Sequence, residues 1–153
     1  MKIYKSTVGE IKTVYDKTNP IPKVKISCSE DSVETLREII QVNFPGMISH
    51  REFMLILLLN RANNTMGWSL ISVGGITGTV VDPKIVFQFA ITGNASGIIL
   101  CHNHPSGNLI PSRADDQITD KMVKAGKLLD INVLDHIIIT DEDYYSYADE
   151  GRL

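Results

Sequence analysis

The sequence predicts a mixed α/β (α+β) domain in which a central mixed sheet is covered by helices, and three observations predict it. The uninterrupted apolar run Phe53-Met54-Leu55-Ile56-Leu57-Leu58-Leu59 has the length of a strand and no alternation, as in a strand covered on both faces. Two other stretches repeat at helical spacing: Val33, Leu36, Ile39 and Ile40, and later Ile118, Met122, Ala125, Leu128 and Leu129. Strand-like and helix-like stretches interleave along the chain, the order of a helix-covered sheet.

Residues 1–25 mix charge with short β-branched runs and contain Asn19-Pro20-Ile21-Pro22, so they read as an arm with a kinked linker ahead of a domain over 26–153. Ser27, Ser29 or Ser32 can cap the first helix, which ends before Pro45-Gly46. After the strand from Phe53, Asn60 to Gly67 reads as a polar turn, with Trp68 to Val73 returning as a strand until Gly74-Gly75 breaks it. Asp82-Pro83 is a cap followed by proline at the first helical position, opening a helix to about Ile91 with Val86, Phe89 and Ala90 inward. Ile98 to His102 is the next strand. A helix from Arg113 to about Leu129 follows, then a strand from Val133 to Thr140, a solvated turn at Asp141-Glu142-Asp143 and a closing strand over Tyr144 to Tyr147.

The 153 residues suit one domain with an ordinary core. Hydrophobic residues at 43% and charged ones at 22% are those of a soluble globular chain. A net charge of −3 offers no broad attraction to phosphate backbones, so direct nucleic-acid binding is not expected. The two cysteines, Cys28 and Cys101, form neither a disulfide framework nor a metal knuckle, which points to a reducing, cytoplasmic setting. The start lacks the apolar core of a signal peptide and no run approaches a membrane span, so no membrane role is expected.

The stretch that carries chemistry is Cys101-His102-Asn103-His104-Pro105-Ser106-Gly107-Asn108-Leu109-Ile110-Pro111-Ser112-Arg113-Ala114-Asp115. Residues at i and i+2 of a strand share a face, so His102 and His104 can offer both imidazoles to one ion while Cys101 and Asn103 face away. Ser112 reads as a helix N-cap. Asp115, three residues on, lies by free backbone N–H groups and the positive end of the helix dipole, which favour the ionised carboxylate that a metal needs. Two nitrogens and one oxygen with a vacant fourth position is the arrangement of catalytic zinc. Asp116, adjacent, reads as a dipole partner.

The spacing His-x-His, seven residues, Ser, two residues, Asp resembles the signature of the JAMM (JAB/MPN+) metalloproteases. The words His-Asn-His-Pro-Ser-Gly, Pro-Ser-Arg-Ala-Asp and Leu134-Asp135-His136-Ile137 resemble its bacterial RadC branch, over about Ile26 to Gly151. The resemblance implies an MPN sheet of the cytidine-deaminase-like architecture, Zn²⁺ on His102, His104 and Asp115, and Ser112 assisting at the transition state. It also implies peptide or isopeptide substrates and, through the RadC name, a link to DNA repair. Full-length RadC proteins carry a helical hairpin region before this domain; with only a short arm here, its nucleic-acid contacts are not expected.

A peptide hydrolase also needs a carboxylate to move protons. Among Glu10, Glu30, Glu34, Glu38 and Glu52, only Glu52 stands at the start of a strong buried strand, and the catalytic Glu of the JAMM family precedes a strand in the same way. Many eukaryotic members have Gly three residues after this Glu; Leu55 here argues against a ubiquitin-type assignment. His136 can orient a ligand from behind, meet substrate or be a satisfied structural histidine. A non-haem iron oxygenase would place its carboxylate in a short His-x-Asp/Glu motif, and a zinc deaminase would need Pro-Cys-x-x-Cys, which the chain lacks. From another class, a non-catalytic metal-binding or interaction module of the same fold stands as the alternative.

Overall fold

The structure is a computed structural model that describes Thr18, residues 20–74 and residues 80–153. Most of the arm expected over residues 1–25 lies outside the described residues. Its end, from Pro20, is described, and there Val24 accepts from Thr65 N–H and donates to Thr65 Oγ1 at 2.8 Å each.

A five-stranded sheet runs in the order β2-β1-β3-β4-β5, formed by β1 (Phe53–Leu59), β2 (Thr65–Val73), β3 (Gly97–Asn103), β4 (Asn132–Ile139) and β5 (Tyr144–Ser146). Only β3 and β4 pair in parallel; the other neighbours are antiparallel. Three helices pack on it: α1 (Ser29–Asn43), α2 (Pro83–Thr92) and α3 (Arg113–Leu128), with α3 forming the crossover that a parallel pair requires. This is the helix-covered mixed sheet expected from the sequence.

Alternation along the strands divides the core in two. Phe53, Leu55, Leu57, Leu59, Ile99, Cys101, Ile137 and Ile139 pack with Val33, Leu36, Ile39 and Ile40 of α1. Met54, Ile56, Leu58, Ile98 and Leu100 pack on the other side with Val86, Phe87 and Ala90 of α2 and Met122 of α3. Both faces of β1 are therefore dry, which explains its lack of polar alternation.

Three details depart from the sequence reading. In α2 the inward aromatic is Phe87, 4% exposed, while Phe89 is 41% exposed. The first residue before α1 is Cys28, and the reach-back comes from Asp31, whose carboxylate accepts from the Ser27 and Cys28 amides at 2.7 and 3.3 Å. None of the three expected serines serves: Ser29 Oγ is spent on Asp149 (2.6 Å) and Ser32 Oγ on the Cys28 carbonyl. The turn before β2 is also tighter, because Asn60 Oδ1 accepts from Ala62 and Asn64 N–H, letting the strand begin at Thr65.

Candidate metal centre

β3 ends at Asn103, and its even-numbered residues face α2 and α3, so His102 follows Leu100 and Ile98 onto that side. His104 stands one residue past the strand. Its N–H still donates to the Ile139 carbonyl at 3.2 Å, which carries the strand's direction forward and brings the second imidazole beside the first. Gly107, at φ 79°, then lets the chain turn back, its N–H bonded to the His104 carbonyl at 3.0 Å.

Asp115 comes from the first turn of α3. Ser112 is the N-cap as expected: its Oγ accepts from Asp115 N–H at 3.1 Å, and the Asp115 carboxylate accepts from Ser112 N–H at 2.7 Å. This reciprocal box fixes the carboxylate direction. His102 Nε2 and His104 Nε2 lie 3.0 Å apart, His102 Nε2 and Asp115 Oδ1 3.1 Å, and His104 Nε2 and Asp115 Oδ2 3.5 Å. Zinc bonds of about 2.0–2.1 Å give a tetrahedral edge of about 3.3 Å, so these separations fit three corners around one cation. The His102 side chain is 2% exposed, those of His104 and Asp115 15% and 14%, which leaves the cluster approachable from the His104 and Asp115 side. His102, His104 and Asp115 are thus a group able to hold a metal ion, as the sequence spacing anticipates.

The electrostatics suit a cation. Burial pushes the Asp115 carboxyl up, but the facing imidazoles of His102 and His104 and the Ser112 hydroxyl outweigh it and hold the group well below the usual carboxylate range. His104 is raised above an ordinary histidine, first by its bond to Asp115 and, against burial, by the Asn108 carbonyl and the charges of Asp115 and Glu52. A carbonyl only accepts, so the 2.5 Å contact between His104 Nδ1 and Asn108 O puts a proton on Nδ1 and, in the neutral ring, leaves Nε2 bare for metal.

Glu52 is half-buried at the residue before β1. Met54 pairs with His102, so continuing that register by two residues sets Glu52 across from His104. Its effect on His104 agrees with that placement. The segment is held by a residue the sequence reading passed over. Asn103, fully buried on the opposite side from the imidazoles, accepts from Phe53 N–H at 2.8 Å and donates to the carbonyls of Arg51 (2.8 Å) and Ile48 (2.7 Å). Those bonds bracket Glu52.

Behind His102 stands His136, fully buried on β4, with Nε2 2.7 Å from His102 Nδ1. Its far nitrogen lies 2.6 Å from Thr119 Oγ1 of α3, and Tyr147 stacks on the ring at 5.0 Å. Burial, then the nearby His102, pushes His136 well below the ordinary histidine range. Asp116 does more than favour the helix dipole: it binds Arg152 at 2.8 Å and accepts from the Tyr147 hydroxyl at 2.9 Å, tying the end of the chain to α3. Cys101 faces α1, away from the ligands, and burial raises its thiol far above the thiolate range. His50 closes a local turn onto the Gly46 carbonyl.

The end of the central strand supplies two imidazoles and the mouth of the crossover helix a carboxylate, a group able to hold a metal ion in a mixed α/β domain of the JAB/MPN kind. The RadC-like JAB domain model matches residues 26–152, and the chain belongs to that family. Curated relatives carry the name UPF0758 protein. The one from Flavobacterium johnsoniae is 47% identical over 127 residues, covering 83% of this chain and 53% of the relative. Those from Methanosarcina barkeri and Desulforamulus reducens are 40% and 39% identical, each covering 85–86% of this chain and 54–55% of the relative. The chain spans about half the length of these relatives. No helix among the described residues is long and apolar enough to cross a membrane.

Proposed function

We propose that the chain is a zinc-dependent hydrolase of the JAMM type that cleaves a peptide or isopeptide bond. The observation that carries it is the convergence of His102 Nε2, His104 Nε2 and Asp115 on one point, open on one side, with the charge of Glu52 felt at His104. Zinc supplies Lewis acidity at such a point and lowers the pKa of water. His102 and His104 hold the ion as neutral donors, and Asp115 neutralises part of its charge. Glu52 takes a proton from the attacking water and returns it to the leaving amine. Ser112 donates its hydroxyl to the developing oxyanion, turning from Asp115 Oδ2, which it meets at 2.7 Å.

The partner in this reading is an extended peptide or protein tail rather than nucleic acid, since a chain of net charge −3 draws no phosphate backbone. The setting is the reducing cytoplasm, in keeping with free Cys28 and Cys101. Metal analysis joined to peptide and isopeptide cleavage assays of wild type and Glu52→Gln tests the proposal. Glu52→Gln is expected to keep its zinc and lose cleavage by about 10²–10⁴-fold. Unchanged cleavage removes Glu52 as the base, and zinc uptake without cleavage by the wild type transfers the chain to the non-catalytic modules of this fold.

A further inference from the structure

The metal centre has a buried polar extension that the hydrolytic reading does not use. Three side chains from three elements form one line: Thr119 on α3, His136 on β4 and His102 on β3. Leu100 pairs with His136 across the parallel β3–β4 ladder, which puts His136 diagonal to His102 on the same face and accounts for the 2.7 Å contact. His136 is 0% exposed, Thr119 2% and His102 1%, so every proton in the line must find its acceptor within the protein.

The proton order follows from the helix end. Thr119 Oγ1 lies 2.6 Å from the Asp115 carbonyl, four residues back. Helical threonines commonly spend their single hydrogen on that carbonyl. Thr119 then has only lone pairs for His136, 2.6 Å away, and His136 Nδ1 must donate to it. Buried at 0% exposure between a hydroxyl and an imidazole, the His136 ring carries one proton; with that proton on Nδ1, Nε2 is bare and accepts from His102 Nδ1–H. His102 in turn keeps a bare Nε2, and that is the atom facing His104 Nε2 and Asp115. We infer that Thr119 and His136 are positioning residues, a buried relay that holds His102 as its Nδ1–H tautomer and so presents Nε2 to the metal.

The relay has a second consequence for the same ion. Thr119 is bonded to the backbone of Asp115, the third ligand, so one chain of contacts orients a ligand from the sheet and anchors another on the helix. Tyr147, stacked on His136 at an interplanar angle of 10°, keeps the ring from turning. The stacking also makes His136→Phe a sensible probe, since a ring remains while both nitrogens go.

The inference rests on the proposed metal site, and its test separates the two. Zinc affinity of the 153-residue chain is measured by competition with a chelating dye, and the His102 tautomer of the metal-free protein is read from long-range ¹⁵N–¹H spectra. His136→Phe is expected to bind zinc about 10–100-fold more weakly. His136→Gln, which retains an acceptor towards His102 and a donor towards Thr119, is expected to restore most of that affinity. Thr119→Val should weaken binding in the same direction and Thr119→Ser should rescue it, a pair that decides the matter if His136→Phe does not fold. Wild-type His102 is expected as Nδ1–H. An Nε2–H tautomer in the wild type, or full zinc affinity in both His136→Phe and Thr119→Val, overturns the relay. A wild type that shows the Nδ1–H tautomer but takes up no zinc overturns the hydrolase reading and leaves the relay standing.

Discussion

Asn103 offers the sharpest test of how the fold holds the site, because one buried amide fastens the segment around Glu52. In Asn103→Ala three bonds vanish: that from Phe53 N–H at 2.8 Å and those to the carbonyls of Ile48 and Arg51 at 2.7 and 2.8 Å. Leaving the Phe53 donor buried without a partner costs about 1–3 kcal/mol, and the two carbonyls lose about 0.5–1.5 kcal/mol each. A destabilisation of about 3–4 kcal/mol follows, a large fraction of the roughly 5–15 kcal/mol that holds a domain together. Urea unfolding followed by the fluorescence of the single tryptophan, Trp68, which meets Phe44 edge-on at 5.8 Å, reads it directly. With a slope of about 1.5–2 kcal/mol per molar, the midpoint should fall by about 2 M. Asn103→Asp should fare no better, since its carboxylate oxygen would face the Ile48 and Arg51 carbonyls. The imidazoles project from the opposite side of β3, so zinc uptake by the folded fraction should persist while cleavage drops. A midpoint within about 0.5 M of wild type would refute the assignment of Asn103 as the fastener.

Two further outcomes follow from the helices. The Ser27 amide, above all, and that of Cys28 hold the Asp31 carboxyl below its ordinary value. A depressed folded value stabilises above the unfolded pKa of about 3.9 and is lost as pH falls through the folded one. The stability gap between wild type and Asp31→Ala should therefore be constant above about pH 5 and close in acid, as measured by thermal melts across pH. Gly126→Ala should lower the melting temperature although alanine is the better helix former by about 1 kcal/mol. A Cβ there would clash with the Ile131 carbonyl oxygen, a backbone atom where the chain leaves α3 for β4. A rise in melting temperature would mean that this junction yields.

The cluster able to hold a metal was legible because its spacing is local. His102 and His104 share a strand face, and Ser112 and Asp115 share a cap, so each half of the cluster is written in consecutive residues. What could not be read is what the sheet joins. Asn103 gives no sign in the sequence that it reaches Ile48, Arg51 and Phe53, and Thr119 looks like any helical threonine until β4 brings His136 against it. In α2 the apolar residues Ile85, Val86, Phe87, Phe89, Ala90 and Ile91 define two overlapping stripes through Val86 and Ala90. Periodicity cannot choose between Phe87 and Phe89, and contact with the sheet decides for Phe87. The cap of α1 failed for a related reason: serines surround the boundary, but only Asp31 has the length and charge to reach back over two amides.

Alternation along β3 binds these elements into one device. Its even positions pass from Ile98 and Leu100 in the core to His102, while its odd positions pass from Ile99 and Cys101 to Asn103. The strand therefore delivers a candidate metal ligand to one side and the fastener of the Glu52 segment to the other, within two residues. Shifting a strand by one residue exchanges its faces. Such a shift beyond Cys101 would bury an imidazole against α1 and turn the Asn103 amide towards Asp115, removing candidate ligand and fastener together. Apolar pairing of β1 with β3, Met54 against His102 and Leu55 against Cys101, holds that register. The hydrophobic middle of the sheet thus sets the distance between Glu52 and the His102–His104–Asp115 cluster, which is why a long uncharged strand and a polar His-Asn-His tip belong to the same site.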